Sequence, residues 1–409
     1  MSDMPLFTNL IEKLNYEYPE YITNKILKRN NTTFFNSKII NLDLSNLGLK
    51  DVPEIIGEFK YLRRLILDRN LITSLPESLS NLKSLRRLDL NLNHLSSVPG
   101  SLINLSSSLE RLNLQSNEFI TFPSELCNLN NLKTLDLGRN NLKYLPENFG
   151  DLISLRRLDL RVNHLIDLPK SFWNLKCLEH LSIRTNKLME IPEELGKLTN
   201  LNYLNLQKNR LTGLPKSIHS LNKLQRIDFR YNKLNSLPPE LFSLTRLLRI
   251  ELRFNELVSL PAELKSLIHL QELGLYHNQL QDLPPEIGEL VSLEKIDLKS
   301  NQLEEIPPSF GKLSQLTELK LDNNRLTSLP NEIINLHNLQ FLYLNNNQLE
   351  SLPSFTKMGK LKVLGLSNNP IDIPEALFTM PKLQRVEIDE SQLRTIPHVY
   401  QNSPLVHVV

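Results

Sequence analysis

Apolar residues recur along this chain in one fixed frame, L-x-x-L-x-L-x-x-N-x-L-x-x-L-P, with polar residues at most x positions. Three consecutive copies begin at Leu201, Leu224 and Leu247, and the middle one reads "LQRIDFRYNKLNSLP" (224–238). Sixteen copies run in register, with central strand residues from Leu42 to Val386. The period is 23 residues, except for one step of 24 at "SSS" (106–108) and two final steps of 22. In L-x-L the apolar residues are two apart and share one face of a strand. A further leucine, such as Leu234, continues the buried stack. The proline that follows, such as Pro238, occurs in all sixteen copies, and its fixed φ suits the first position of a short helical turn. Glutamate often comes next, as at Glu54, Glu77, Glu147 and Glu193, where a helix N-terminus favours an anion. No such repeat buries its own apolar face, so each is stabilised by its neighbours. The pattern therefore predicts one elongated domain over residues 39–397, where length alone suggests two or three domains.

This frame resembles the leucine-rich repeat, and the resemblance covers almost the whole chain. It implies an α/β class fold, a horseshoe-like solenoid. A parallel β-sheet lines its concave face, and short helical or 3-10 segments return along the convex face. The asparagine of the frame is present in fourteen copies, Asn70 to Asn369. It reads as structural, because a short amide satisfies loop backbone groups that would otherwise be buried and unpaired. The first and last copies carry Leu47 and Ser391 in that slot, as terminal repeats with one neighbour can.

Residues 1–38 do not repeat and are expected to form an N-terminal helical cap. Leu6, Phe7, Leu10, Ile11 and Leu14 have helical spacing, and Tyr21, Ile22, Ile26 and Leu27 form a second, weaker stripe after Pro19. Phe34 and Phe35 are expected to pack onto the first repeat. At the other end, residues 398–409 are expected to form a C-terminal cap. There "SPLVHVV" (403–409) reads as a last strand over the core, or as an edge that pairs with another chain.

Composition adds little until it is sorted by position. The chain has 409 residues, 47 basic and 45 acidic, for a net charge of +2. In the slots expected to point out of the concave sheet, repeats five to ten hold nine bases against four acids. Repeats eleven to sixteen reverse this, with four bases against seven acids. The candidate partner-binding residues lie in the basic stretch and at its aromatic border: Arg161, Arg184, Tyr203, Arg226, Arg230, Tyr231, Arg249, Arg253, Phe254, Tyr276 and His277. Outward rings beside arginine are the residue types that dominate interface hot spots. The alternative is a self-balancing lattice, since Asp159 with Arg161, Asp228 with Arg230 and Glu251 with Arg253 are two apart on one face. Phe341 and Tyr343 form a separate aromatic group. Trp173 and Phe242 share a convex slot, either as a second contact or as rings lying flat over their neighbours.

No phosphate loop, metal-spaced histidine pair or nucleophile elbow occurs. No catalytic residue, cofactor or metal is expected, and no enzyme. The N-terminus lacks the features of a secretion signal, and no apolar run reaches the ~18 residues of a membrane helix. The two cysteines, Cys127 and Cys177, fit a reducing, cytoplasmic setting. The "LP" repeats of 23 residues resemble intracellular Ras-binding scaffold and Ras-suppressor proteins. That resemblance implies a protein partner on the concave face, by analogy a small GTPase or a phosphatase. The basic stretch points to an acidic partner surface. Two alternatives are a bacterial or parasite protein that binds a host partner, and nucleic-acid binding through the Arg and aromatic patch. The interleaved acids and modest pI weigh against the last.

Overall fold

The computed structural model describes residues 2–17 and 32–409. The chain divides into two compact units, Met1–Leu188 and Met189–Val409.

The first unit opens with helix α1 (Met4–Glu17). Its Phe7, Leu10, Ile11 and Leu14 are buried, as the apolar spacing requires. Asp3 ties the start of α1 to the first repeat by accepting the Ile39 N–H at 3.0 Å. The second expected stripe, Tyr21 to Leu27, lies outside the described residues. Strand β1 (Thr33–Phe35) pairs antiparallel with β2 (Lys38–Asp43). Phe34 sets its ring edge-on to Phe7 of α1 at 5.5 Å and Phe35 is 67 % exposed; the ring contact is with the cap helix and not, as expected, with the first repeat. From β2 the sheet continues in parallel through β3 (Arg64–Ile66), β4 (Arg87–Asp89), β5 (Arg111–Asn113), β6 (Thr134–Asp136), β7 (Arg157–Asp159) and β8 (His180–Ser182).

The second unit repeats the plan. Its parallel strands are β9 (Tyr203–Asn205), β10 (Arg226–Asp228), β11 (Arg249–Glu251), β12 (Glu272–Gly274), β13 (Lys295–Asp297), β14 (Glu318–Lys320), β15 (Phe341–Tyr343), β16 (Val363–Gly365), β17 (Arg385–Ile388) and β18 (Val406–Val408). From β9 to β16 each strand has its central aliphatic residue opposite its neighbour's, as Ile227 lies opposite Leu204 and Ile250. Short helices α2 (Glu390–Leu393) and α3 (His398–Gln401) separate β17 from β18. The segment read as a last strand does add to the sheet, parallel to β17. Among the described residues no helix is long and apolar enough to cross a membrane.

Short 3-10 turns close most repeats on the side away from the sheet. The proline stands one residue earlier than expected: Pro76 and Pro238 are caps with extended backbone, at φ −74° and −67°. The Pro76 carbonyl accepts the first bond of its turn, from Leu79. The prolyl nitrogen costs nothing there, because a cap N–H lies outside the intrahelical bonding. Where a second proline follows, as at Pro239, Pro285 and Pro308, that one takes the first turn position.

Asparagine staples adjacent repeats. Asn232 is 8 % exposed. Its Nδ2 donates to the Phe229 and Leu206 carbonyls at 2.9 and 3.0 Å, and its Oδ1 accepts the Leu211 N–H at 3.1 Å. Asn70, Asn163 and Asn347 make equivalent bonds. In the last repeat the task passes to Gln392, one residue beyond the frame position. Its Nε2 donates to the Leu366 and Asn369 carbonyls at 3.0 and 3.1 Å. The longer side chain spans the extra distance, and a capping box between Asp389 and Gln392 holds it.

Candidate functional site

Outward side chains come from the first and third residue of each strand, from the residue two further on, and from the residue before the asparagine. The third-residue column explains most of the acids. Asp228 accepts the Arg230 backbone N–H at 3.2 Å, Asp297 that of Lys299 at 3.3 Å and Asn205 that of Gln207 at 2.9 Å. In the first unit Asn113, Asp136 and Asp159 do the same for Gln115, Gly138 and Arg161. A short side chain thus satisfies the backbone donor just past the strand end. Burying such carboxylates demands counter-charge, and the arginines supply it.

Arg230 binds Asp228 through two bonds of 2.9 and 2.6 Å, and this hydrogen bonding raises its guanidinium pKa further. Arg249 binds Glu251 at 2.7 Å and reaches Glu272 at 2.9 Å. Arg253 lies 3.3 Å from Glu251 and 3.5 Å from Asp297. Three of the second unit's candidate arginines are therefore committed to the chain's own acids. Arg226, on the first strand position, is exposed and forms no ion pair with a described side chain. Tyr203 precedes it in the same column, and its hydroxyl accepts from Asn205 at 2.9 Å.

Tyr231, Phe254 and His277 occupy a different kind of position from the one expected. Each immediately precedes an asparagine and adopts the left-handed conformation, with φ of +56°, +57° and +58°. They therefore stand on the turn at the C-terminal rim of the strands and not on the strands themselves. Every repeat but the last places a left-handed residue here, including the β-branched Val162 and Thr185, so the turn is imposed by the repeat against local preference. The rings converge. Tyr231 stacks on Phe254 with centroids 4.3 Å apart and planes 9° apart. Phe254 meets Tyr276 and His277 at 4.9 Å each. Tyr276, from the neighbouring outward slot, has Lys299 Nζ 5.9 Å from its ring centre. Tyr231 remains 45 % exposed, and His277 is exposed as well.

Arg161 and Arg184 belong to the first unit. Arg161 pairs with Asp159 at 3.0 Å, and Arg184 is exposed without an ion pair to a described side chain. Asp136 and Asp159 face each other across β6 and β7. Burial, with Asp159 beside it, pushes Asp136 up to about 6. This unit also carries a column missed in the sequence, Arg64, Arg87 and Arg111 in register on β3 to β5. The signal was present as an arginine in the first strand slot of three successive copies. Arg64 and Arg87 share Asp89, at 3.5 and 2.7 Å.

Trp173 and Phe242 are 2 % and 5 % exposed, which leaves no second contact surface on these rings. They lie in the turns, with Trp173 edge-on to Phe172 at 5.2 Å. Among the described residues no group of three or more metal-ligating side chains converges.

Strand, left-handed turn, asparagine staple and 3-10 return define a repeat-built binding fold. Family models agree: the leucine-rich repeat region matches residues 101–203, 190–277 and 261–326, and the leucine rich repeat matches 60–119 and 314–371. The chain belongs to the leucine-rich repeat family. A leucine-rich repeat protein of Leptospira interrogans is 36 % identical with TM-score 0.82, covering 90 % of this chain and 95 % of that one. The plant peptide hormone receptor RGFR1, in complex with RGF2, is 28 % identical with TM-score 0.70, covering 89 % of this chain and 68 % of that one. A chain of the Drosophila Toll–Spatzle complex is 26 % identical with TM-score 0.70, covering 85 % of this chain and 52 % of that one. A search of curated proteins found no match.

Proposed function

We propose that the chain is a non-enzymatic scaffold that binds a protein partner on the open sheet face of its second unit, centred on Tyr231, Phe254, Tyr276 and His277. The aromatic cluster carries this reading. Four rings gathered at a strand rim, partly in water, form the kind of anchor on which interface energy concentrates. The likeness to a receptor solved in complex with RGF2 supports a polypeptide ligand. The partner surface is acidic, because Arg226 has no internal counter-charge, and steering by such a residue acts mainly on association. The same pairing weakens the case for nucleic acid, since Arg230, Arg249 and Arg253 are already neutralised. By resemblance to Ras-binding scaffolds, we place the activity in cytoplasmic signalling, with a small GTPase or a phosphatase as the partner.

The test is affinity capture from cytosolic lysate, comparing the intact chain with a Tyr231→Ala/Phe254→Ala/Tyr276→Ala variant of matched melting temperature. A protein retained by the first and lost from the second supports the site. Identical captures remove it. One observation favours a second reading, a bacterial protein that binds a host protein: the Leptospira interrogans source of the 36 % identical neighbour. Export of the chain in a secretion assay would decide for that reading.

A further inference from the structure

The first unit carries a charge excess that its fold does not require. The first residue of each strand and the residue before it form two columns across β3 to β8. Together they hold eight bases, seven of them arginine, against two acids, Glu110 and Glu179. The first-residue column runs in register through Arg64, Arg87, Arg111, Thr134 and Arg157. Backbone bonds tie the other column, with the Arg86 N–H donating to the Arg63 carbonyl and the Arg156 N–H to that of Lys133. The loops that lead into these strands (60–61, 83–84, 106–108, 130–131, 153–154 and 176–177) add Lys60, Lys83 and Lys176 and no acid. Including the third strand residue and the residue two further on brings the six strands to ten bases against six acids, so the excess survives the full count. The repeat itself has no use for it. In β9 to β12, on the same backbone, the residue before the strand is Asn202, Gln225, Leu248 or Gln271.

The acids do not exhaust these bases. Arg64 and Arg87 share Asp89 at 3.5 and 2.7 Å. Arg86 and Lys133 share Glu110 at 3.7 and 3.0 Å. Glu179 takes Arg156 at 2.7 Å. Arg63, Arg111 and Arg157 are exposed and form no ion pair with a described side chain. Arg64 to Arg157 spans ~19 Å over four strand steps, so the free guanidiniums are spread along the margin of the sheet and not gathered at one point.

We propose that this margin is an interaction surface for an acidic segment of a protein partner, with single carboxylates meeting Arg63, Arg111 and Arg157. It lies in the first unit and does not depend on the aromatic site of the second. The planar fork of arginine takes a carboxylate through two bonds. Two features favour a polypeptide over nucleic acid. The first is that Asp89, Asp136, Asp159 and the two glutamates interrupt the array. A duplex phosphate backbone carries a charge every ~3.4 Å per strand and meets those acids as well as the arginines, whereas a polypeptide can set neutral residues against them. The second is that the outward slots of β3 to β8 hold no Phe, Tyr or Trp on which a base could stack. The exposed Tyr61 of a lead-in loop is already faced by Lys38, whose Nζ lies 4.6 Å from its ring centre.

The test is selection of a phage-displayed random 12-residue peptide library on the full-length chain, with counter-selection on an Arg63→Gln/Arg111→Gln/Arg157→Gln variant of matched melting temperature. Enriched peptides should carry Asp or Glu residues separated by uncharged ones. In anisotropy measurements the labelled peptides should bind the variant at least tenfold more weakly. Their binding to the intact chain should weaken as salt is raised, because exposed ion contacts are screened. A labelled DNA duplex, a labelled single strand and phosphatidylserine vesicles are run alongside. If any of these binds more tightly than the peptides and is lost in the variant, the margin binds anions but the polypeptide reading is overturned. Self-association of the chain that the variant abolishes makes a second copy the occupant and overturns it as well. So does selection of no acidic motif, or peptides that bind chain and variant alike. The selected peptides should bind the Tyr231→Ala/Phe254→Ala/Tyr276→Ala variant as they bind the intact chain. Loss there assigns them to the second unit and overturns the proposal while leaving the scaffold reading in place.

Discussion

Replacing Asp136 with asparagine should stabilise the first unit at neutral pH and leave it unchanged near pH 3.5. The Asp136 side chain lies between Asn113 on β5 and Asp159 on β7. The nearest guanidinium, Arg161, pairs with Asp159 at 3.0 Å, so two neighbouring carboxylates share one cation. Burial and the Asp159 charge raise the Asp136 pKa from 3.8 to about 6. A raised carboxyl pKa means that the folded chain holds the proton more tightly than the unfolded chain. This contribution is complete below the unfolded pKa and is lost as pH rises through about 6. A shift of about two units corresponds to roughly 3 kcal/mol. The pKa of Asp159 is raised too, chiefly by burial, so neutralising one member also relieves the other. Asparagine keeps an oxygen for the Gly138 N–H, which Asp136 accepts at 2.9 Å. A gain of about 2–3 kcal/mol is therefore expected above pH 7, shrinking through pH 6 to 4 and vanishing below. The one tryptophan of the chain, Trp173, is buried in the same unit, so its fluorescence reports urea unfolding there. Equal stability of the two proteins at pH 7.5, or a pH-independent difference, would refute the reasoning.

Three further outcomes follow from packing and hydrogen bonding. Asn232→Ala leaves the Leu211 N–H without its acceptor, while the Leu206 and Phe229 carbonyls each keep a second donor, Asn209 and Asn255; at about 1–3 kcal/mol for a buried unsatisfied group, urea unfolding should show a loss of about 1–3 kcal/mol, and no measurable loss would contradict the staple. Gly150→Ala drives a Cβ into the Ser171 carbonyl and should cost about 1–3 kcal/mol, whereas Gly213→Ala, with open space around it, should be close to neutral; equal effects in thermal melts would refute the contact. Burial pushes the Cys127 thiol up to about 12 while Cys177 is exposed, so a thiol reagent at pH 8 should label one cysteine in the folded chain and both in urea; labelling of both in the native state would contradict the burial.

The core was legible because it follows a strict period. A leucine every second or third residue, repeated sixteen times, leaves one arrangement in which every apolar side chain is buried. The asparagine role was also readable, since a short amide recurring at a turn in fourteen copies has few other uses. Gln392 was not, because the last repeat shifts its amide by one residue and compensates with side-chain length. The proline was displaced by one position because fixed φ suits an extended cap as well as a first turn residue. Left-handed Tyr231, Phe254 and His277 were read as strand-face residues because nothing in a tyrosine or phenylalanine advertises positive φ. Their position before an asparagine was the available clue.

The charge map shows what periodicity leaves out. Counting bases and acids by slot made repeats five to ten look like a surface waiting for an acidic partner. The count treated all slots alike, but the third strand residue is a working part of the turn. An aspartate there accepts a backbone N–H, becomes partly buried, and so requires a cation from an adjacent slot. Arg230, Arg249, Arg253 and Arg161 meet that internal demand. Removing Arg230 would therefore strand the buried Asp228 charge as well as alter the surface, and loss of binding in such a variant would not distinguish contact from misfolding. The residues that carry information about a partner are those the repeat does not use itself. In the second unit these are Arg226, which forms no ion pair with a described side chain, the exposed faces of Tyr231 and His277, and the aromatic pair Phe341 and Tyr343. Substitutions there test the proposed recognition while leaving every staple and every buried ion pair in place.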